Sequence, residues 1–361
     1  MLKTSATKLI ASLCISFIFL TTQAQINLPR TPSPGASTSQ TIGISTLSVT
    51  YSRPSVKGRE VWGALVPYGY NVQAFGSGNS APWRAGANEN TVIKFSHDAT
   101  VEGQAVPAGS YGLTFVINKD NTGEVILSKD YKSWGSFFYD PKRDQMRAKI
   151  QLRDVVFTEM LTYDFVNLTK TSAELVLNWE KKQFPVKIEY DVDDIVINNL
   201  QQELKGQNGF NPGSFTNAAN YALANKVDLP EGLTWIDRAL ATNKTFANLT
   251  TRSNILRAMD KPAEADKVMT DALPVATELE LNAYGYQLLT ANQQDKAIEI
   301  FILNTQKNPK SPNVWDSLGE GYALKGDKKN AIINFKKSLS LNPPAAVKAN
   351  SEKYLKQLGA M

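Results

Sequence analysis

The feature that most limits how this chain can fold is a 34-residue period near its C-terminus. Gly285, Ala297, Phe301 and Pro309 recur as Gly319, Ala331, Phe335 and Pro343. A period of that length marks a supersecondary unit that cannot bury its apolar face alone, so neighbouring copies must stack. Small and large residues at fixed offsets let two antiparallel helices interlock. From YDVDDIVINNLQQELK onward the apolar spacing is helical, with Asp193 or Asp194 placed to cap, and helices are expected from 191 to Met361. Upstream the period decays. Ala263 stays in phase with Ala297, but Thr251 and Lys267 replace the glycine and the phenylalanine, and GLTWIDRALATN around Trp235 reads as a further second helix. Three to four hairpins are predicted, two of them regular.

Trp315, Leu318, Gly319 and Tyr322 between the two regular copies follow the tetratricopeptide spacing, and this part of the chain resembles that family. The resemblance implies a short solenoid whose concave face receives a peptide or a protein segment, with Gly285, Ala297, Phe301, Trp315, Leu318, Gly319, Tyr322, Ala331 and Phe335 as the protein-binding repeat motif. The other reading is that this face packs on the chain's own N-terminal part.

Residues 41–190 change character. TIGISTLSVTY, TVIKFSHDATV, SYGLTFVINK, GEVILSK, VVFTEMLTYDFVNL, AELVLNWE and FPVKIEY alternate with period two and are separated by Gly, Pro and Asn. Short strands at close spacing, without long helical patterns between them, predict an all-β, sandwich-like domain. Residues 25–40 are rich in Pro, Ser and Thr and read as a flexible linker. Residues 1–24 place Lys3 and Lys8 before an apolar run from Leu9 to Leu20, followed by small residues up to Ala24. That order reads as a signal peptide cleaved after Ala24, because the run is too short for the roughly 20 residues of a bilayer span. The protein is therefore expected to be exported, periplasmic or extracellular, meeting the membrane only through that peptide. Cys14, the single cysteine, lies inside the run, so disulfides and thiolate metal sites are not expected in the mature chain. Net charge is +5, or +3 without Lys3 and Lys8, and the cations are interspersed with acids along the chain, which argues against nucleic acid.

Three clusters in the β-region could carry chemistry. YSRPSVKGREVWG (51–63) holds Arg53, Lys57 and Arg59 beside Trp62, with Pro54 keeping the strand exit extended and Gly58 permitting a turn. WRAGANENT (83–91) holds Trp83, Arg84, Asn88 and Glu89. WGSFFYDPKRDQMR (134–147) holds Trp134, Tyr139, Asp140, Arg143, Asp144 and Arg147. Together with AGSYGL and EMLTYDFVNL these segments, in this order, resemble the bacterial family of domain of unknown function 2911 over about residues 40–190. The resemblance implies exported proteins of Bacteroidetes-type bacteria, often with tetratricopeptide repeats after the domain, and implies no activity. YNVQAFGSGNSAP, between PYG and WRAGANENT, departs from the family as an insertion that could reshape a pocket rim.

Guanidinium forks grip carboxylates or hydroxyls, and indoles stack on sugar faces, so Arg53, Arg59, Trp83, Arg84, Asn88, Glu89, Trp134 and Tyr139 are the candidate ligand-binding residues for a glycan or an anion. Two alternatives stay open. The arginines could instead lock loops by pairing with Glu60, Glu89 and Asp140, leaving a purely structural module. A glycan-directed hydrolase would need paired carboxylates, with Glu89 and Asp140 or Asp144 as candidates. His97 is the sole histidine and no G-x-S-x-G elbow exists, which argues against a serine triad and against zinc. DVDD at 191–194 lacks the rest of a calcium loop, and no catalytic residue, metal or cofactor is expected.

Overall fold

The computed structural model describes residues 32–361. The expected signal peptide, 1–24, and residues 25–31 of the expected linker lie outside these residues. The described chain divides into two compact units, 32–41 with 46–189, and 42–45 with 190–361.

The first unit is sheet-rich. Its strands are β1 (Gly35–Ile42), β2 (Ser45–Ser52), β3 (Asn71–Val72), β4 (Ser80–Ala81), β5 (Val92–Phe95), β6 (Ala99–Val101), β7 (Gln104–Val106), β8 (Gly109–Ile117), β9 (Thr122–Ser128), β10 (Asp144–Gln151), β11 (Arg153–Val166) and β12 (Ser172–Glu189). They form a six-stranded sheet in the order β1-β2-β5-β8-β9-β10, a four-stranded sheet β11-β12-β6-β7, and the ribbon β3-β4. The two larger sheets meet through aromatic side chains: Phe115 on β8 lies 5.1 Å from Phe184 on β12, and Tyr51 on β2 lies 4.7 Å from Tyr163 on β11.

Three local features differ from the sequence expectation. Strand β1 starts at Gly35, so part of the predicted linker is ordered; its small polar residues suit an edge strand, where backbone pairing with β2 suffices and only Ile42 is buried. AELVLNWE and FPVKIEY are one strand, β12, in which Glu180 takes a left-handed backbone at φ 53°. Strand β10, DQMRAKIQ, is an edge strand in which Met146, Ala148 and Ile150 alternate with Arg147, Lys149 and Gln151, a short period within a segment read as part of the cluster 134–147.

The second unit is helical: α1 (Val192–Glu203), α2 (Pro212–Asn225), α3 (Leu229–Thr242), α4 (Phe246–Ala258), α5 (Pro262–Ala272), α6 (Glu278–Thr290), α7 (Gln294–Lys307), α8 (Pro312–Lys325), α9 (Lys328–Leu339) and α10 (Ala345–Gln357). Helices α2–α3, α4–α5, α6–α7 and α8–α9 pair as four hairpins, and α10 packs on α8 and α9. Asp191 rather than Asp193 or Asp194 caps α1, its carboxylate accepting the N–H of Asp194. A capping box joins Thr277 and Glu280 at the start of α6, and Gly326, at φ 86°, ends α8. In the regular hairpins each glycine is the seat of the phenylalanine sixteen residues on. A β-carbon on Gly285 would fall 2.3 Å from Phe301, and one on Gly319 would fall 2.9 Å from Phe335. The irregular hairpin α2–α3 uses Gly232 against Ala222 for the same close approach. No helix among the described residues is long and apolar enough to cross a membrane.

Candidate functional site

The segment 51–63 leaves β2 and is stitched to β11. The Val56 N–H donates to the Glu159 carbonyl at 2.9 Å, and the Leu161 N–H donates to the Pro54 carbonyl at 3.0 Å. Lys57 and Gly58, both at positive φ, turn the loop, and Val56, Val61 and Val66 anchor it inside. Trp83 is fixed opposite Phe115 by two backbone hydrogen bonds of 2.8 and 2.9 Å. Behind it the indoles of Trp62, Trp83 and Trp179 cluster: Trp83 stacks on Trp179 at 5.8 Å, and Trp62 meets both edge-on at 5.8 Å. Each such contact contributes about 0.5–1.5 kcal/mol beyond burial, so this wall is rigid.

These elements enclose a cavity of about 600 Å³, within the range of small-molecule sites. Lys57, Arg59, Trp83, Arg84, Asn88 and Trp179 line it, with Asn71 and Gln73 contributed by the insertion. Three cations and no carboxylate belong to the lining. None of the three cations forms an ion pair among the described residues. Two residues of the lining, Ser136 and Trp179, carry buried polar atoms, Oγ and Nε1, with no hydrogen-bond partner among the described residues.

Arg84 is the most constrained of the cations. Its Nη1 donates to the Asn88 carbonyl at 2.8 Å, and its guanidinium lies 4.8 Å from the centre of the Phe137 ring. Burial lowers its pKa from the ordinary arginine value, because charge is held away from water. Asn88, at φ 61°, turns the backbone that meets it, and the Asn88 amide donates to the Ser33 carbonyl. The insertion supports the far side of Phe137: the Ser77 N–H donates to the Phe137 carbonyl at 2.8 Å, and Phe75 packs edge-on against Phe137 and Phe138.

Of the expected site residues, Arg59, Trp83, Arg84 and Asn88 come together and four do not. Arg53 is turned into the domain, donating through Nε to the Leu161 carbonyl at 3.0 Å and through Nη2 to Thr162 Oγ1 at 2.6 Å, and so ties β2 to β11. Tyr139 is buried and donates to Asp144 Oδ2 at 2.8 Å while accepting from Arg147 Nη2 at 2.8 Å; burial and the Asp144 carboxylate push its phenol well above the usual range. Trp134 is half exposed, and neither it nor Glu89 belongs to the lining. These residues sit in loops whose turns, such as that at Lys57 and Gly58, send neighbouring side chains in different directions, so only part of each cluster faces one cavity.

Among the described residues, Arg53, Arg59 and Arg84 make their hydrogen bonds to backbone carbonyls and Thr162 rather than to the carboxylates of Glu60 or Asp140. Asp140 caps the turn at 141–143, and Asp144 is held by Tyr139 and Arg147. His97 lies 3.0 Å from Ser96 Oγ, which accepts the Thr46 N–H at a strand end. Trp179 was not anticipated. Its signal was an aromatic residue at an inward position of AELVLNWE, a segment read only as scaffold.

In the helical unit most of the repeat motif is interior. Ala297, Phe301, Ala331 and Phe335 are fully buried, Leu318 nearly so, and Trp315 Nε1 is tied to the Pro309 carbonyl at 2.9 Å. Gly285 and Gly319 lie beneath the phenylalanine rings, and Tyr322 is partly buried against the same core. Seven of the nine residues are buried within the hairpins, and Trp315 and Tyr322 keep part of their surface exposed. A second 34-residue series escaped the reading: Asn248, Asn282, Asp316 and Asn350 occupy matching places on α4, α6, α8 and α10. Asp316 accepts from Asn350 at 2.8 Å and from Ser351, and burial raises its pKa. Alongside, Glu320 accepts from Tyr286 at 2.9 Å and from Tyr354 at 3.1 Å.

Residues 33–188, which span most of the sheet-rich unit, match the family described as protein of unknown function (DUF2911). Over 114 residues, 32% of the chain, the sequence is 26% identical to cellulose synthase operon protein C of Escherichia coli (strain K12), of which the match spans 9%. Similar solved structures include the C-terminal part of a TPR repeat-containing protein from Cytophaga hutchinsonii, with 17% identity over 46% of this chain and 72% of that one at a TM-score of 0.31. Another is YrrB, described as a TPR protein with an unusual peptide-binding site, with 16% identity over 45% and 84% at a TM-score of 0.29.

Proposed function

We propose that the chain is an exported two-part binding protein, in which the sheet-rich domain holds a small ligand in the cavity beside Arg84 and the helical hairpins hold a protein partner. The observation that carries the ligand site is the lining itself, with three cations, no acid, and a half-buried guanidinium that spends a single N–H among the described residues. Burying an arginine without a carboxylate costs stability, and a ligand that supplies the missing charge offsets that cost. Hydrolysis of a glycan fits less well, because Glu89, Asp140 and Asp144 all lie outside the lining.

Support for the partner role comes from the stacked hairpins, which leave apolar side chains such as Leu279 and Leu324 exposed on their first helices. Export rests on the order of residues in 1–24. Native mass spectrometry of the full chain, tagged at its C-terminus and purified from its own host, tests the ligand site. A small adduct on the wild type that disappears in Arg84→Ala is expected, and an adduct indifferent to that change would refute the site. A mature N-terminus at Gln25 in the same preparation would support export, and an intact Met1 would oppose it.

A further inference from the structure

The geometry points to a short acidic saccharide, one or two sugar rings bearing a carboxylate, as the ligand of this cavity. The inference rests on the ligand-site reading above and names the chemistry that the lining selects. Charge comes first. Lys57, Arg59 and Arg84 with no acid among the lining residues favour an anion and repel a cation. Arg84 sets the geometry of the acid group: Phe137 covers the guanidinium plane, Nη1 is occupied by the Asn88 carbonyl, and the remaining N–H groups make no hydrogen bond among the described residues. A planar fork fixed in this way matches a planar carboxylate in two parallel hydrogen bonds.

The rest of the lining is neutral and polar rather than apolar throughout. Asn71 and Gln73 belong to the lining, their side-chain amides form no hydrogen bonds among the described residues, and each amide offers two donors and an acceptor, as vicinal hydroxyls require. Trp83, backed by Trp179, supplies the aromatic surface that the C–H face of a sugar ring prefers. A volume of about 600 Å³ fits a ligand of this size.

Titration calorimetry on the full chain tests it, with digalacturonic acid as the probe and galactobiose, the dipeptide Glu-Glu and sodium sulfate as controls. Digalacturonic acid is expected to bind, more weakly as salt rises. Arg84→Ala should weaken it roughly 10- to 100-fold, and Arg84→Lys, which keeps the charge but not the fork, should fall between. Circular dichroism on both variants guards against a loss of fold. Equal binding of galactobiose removes the acid from the inference, equal binding of Glu-Glu makes the ligand an acidic peptide, and equal binding of sulfate reduces it to any anion. Each of these overturns the saccharide while leaving the site standing. If digalacturonic acid does not bind but an Arg84-dependent adduct persists in native mass spectra, the saccharide assignment alone fails; without that dependence, both readings fail.

Discussion

Gly135 and Arg84 occupy one space: a β-carbon added at Gly135 would lie 2.5 Å from the guanidinium carbon of Arg84, closer than any real β-carbon contact. Gly135 also sits at φ 60°, where a side chain strains the backbone. The glycine thus belongs to the seat of the arginine although it carries no chemistry of its own. Gly135→Ala is expected to push Arg84 off Phe137 and to remove the Arg84-dependent adduct, at a stability cost of about 1–2 kcal/mol. Thermal melting and native mass spectrometry of the same preparation check this, and an unchanged adduct would show that the seat tolerates displacement.

Arg53 and Arg84 make opposite predictions despite similar sequence surroundings. Arg53→Ala deletes two hydrogen bonds that tie β2 to β11 and leaves the Leu161 carbonyl short of a donor, for a loss of roughly 1–3 kcal/mol. Ligand affinity measured below the lowered melting point should stay within about twofold. A variant that melts normally and loses ligand would reverse the assignment.

For the repeats, Gly285→Ala tests the interlock. Alanine favours a helix by about 1 kcal/mol over glycine, but the added methyl would meet the Phe301 ring at 2.3 Å, and overpacking costs about 1–3 kcal/mol. Net destabilisation is expected in urea melts, with partial rescue by Phe301→Leu in the same chain. Stabilisation by the alanine alone would mean that the ring moves freely.

Asp316 carries a pH signature. Desolvation raises its pKa in the folded state above the unfolded value, which for a carboxyl means that the folded protein binds the proton more tightly. Its contribution to stability is therefore fully present below the unfolded value of about 3.9 and is lost as pH rises through the folded one. Relative to the wild type, Asp316→Asn should gain stability as pH increases across that interval. Parallel melting curves of the two proteins over the acid range would dismiss the effect.

How much of this could be read beforehand follows from where each signal resides. The helical unit was legible because Gly285 with Phe301, and Gly319 with Phe335, encode an interhelical contact at a fixed offset along one chain. Strands with one buried face, such as β2, were legible through alternation, whereas β1 is an edge strand of small polar residues that left no apolar period, and the alternation of Met146, Ala148 and Ile150 in β10 is short and flanked by charges. Within the candidate site the loops were found, but the facing of each side chain was not. Arg53 and Arg59 are six residues apart and part company because Pro54, Lys57 and Gly58 turn the chain between them. Trp179 arrives from a strand about a hundred residues after Trp83, a meeting fixed by sheet topology alone.

Phe137 is braced by the insertion on one flank and shields Arg84 on the other. The grip on a bound acid can therefore be retuned at a distance, by shortening or stiffening residues 74–80, which lie outside the lining, without altering any group that meets the ligand. Two chains with the same arginine, tryptophans and asparagine but different lengths of this brace would hold the same molecule with different lifetimes.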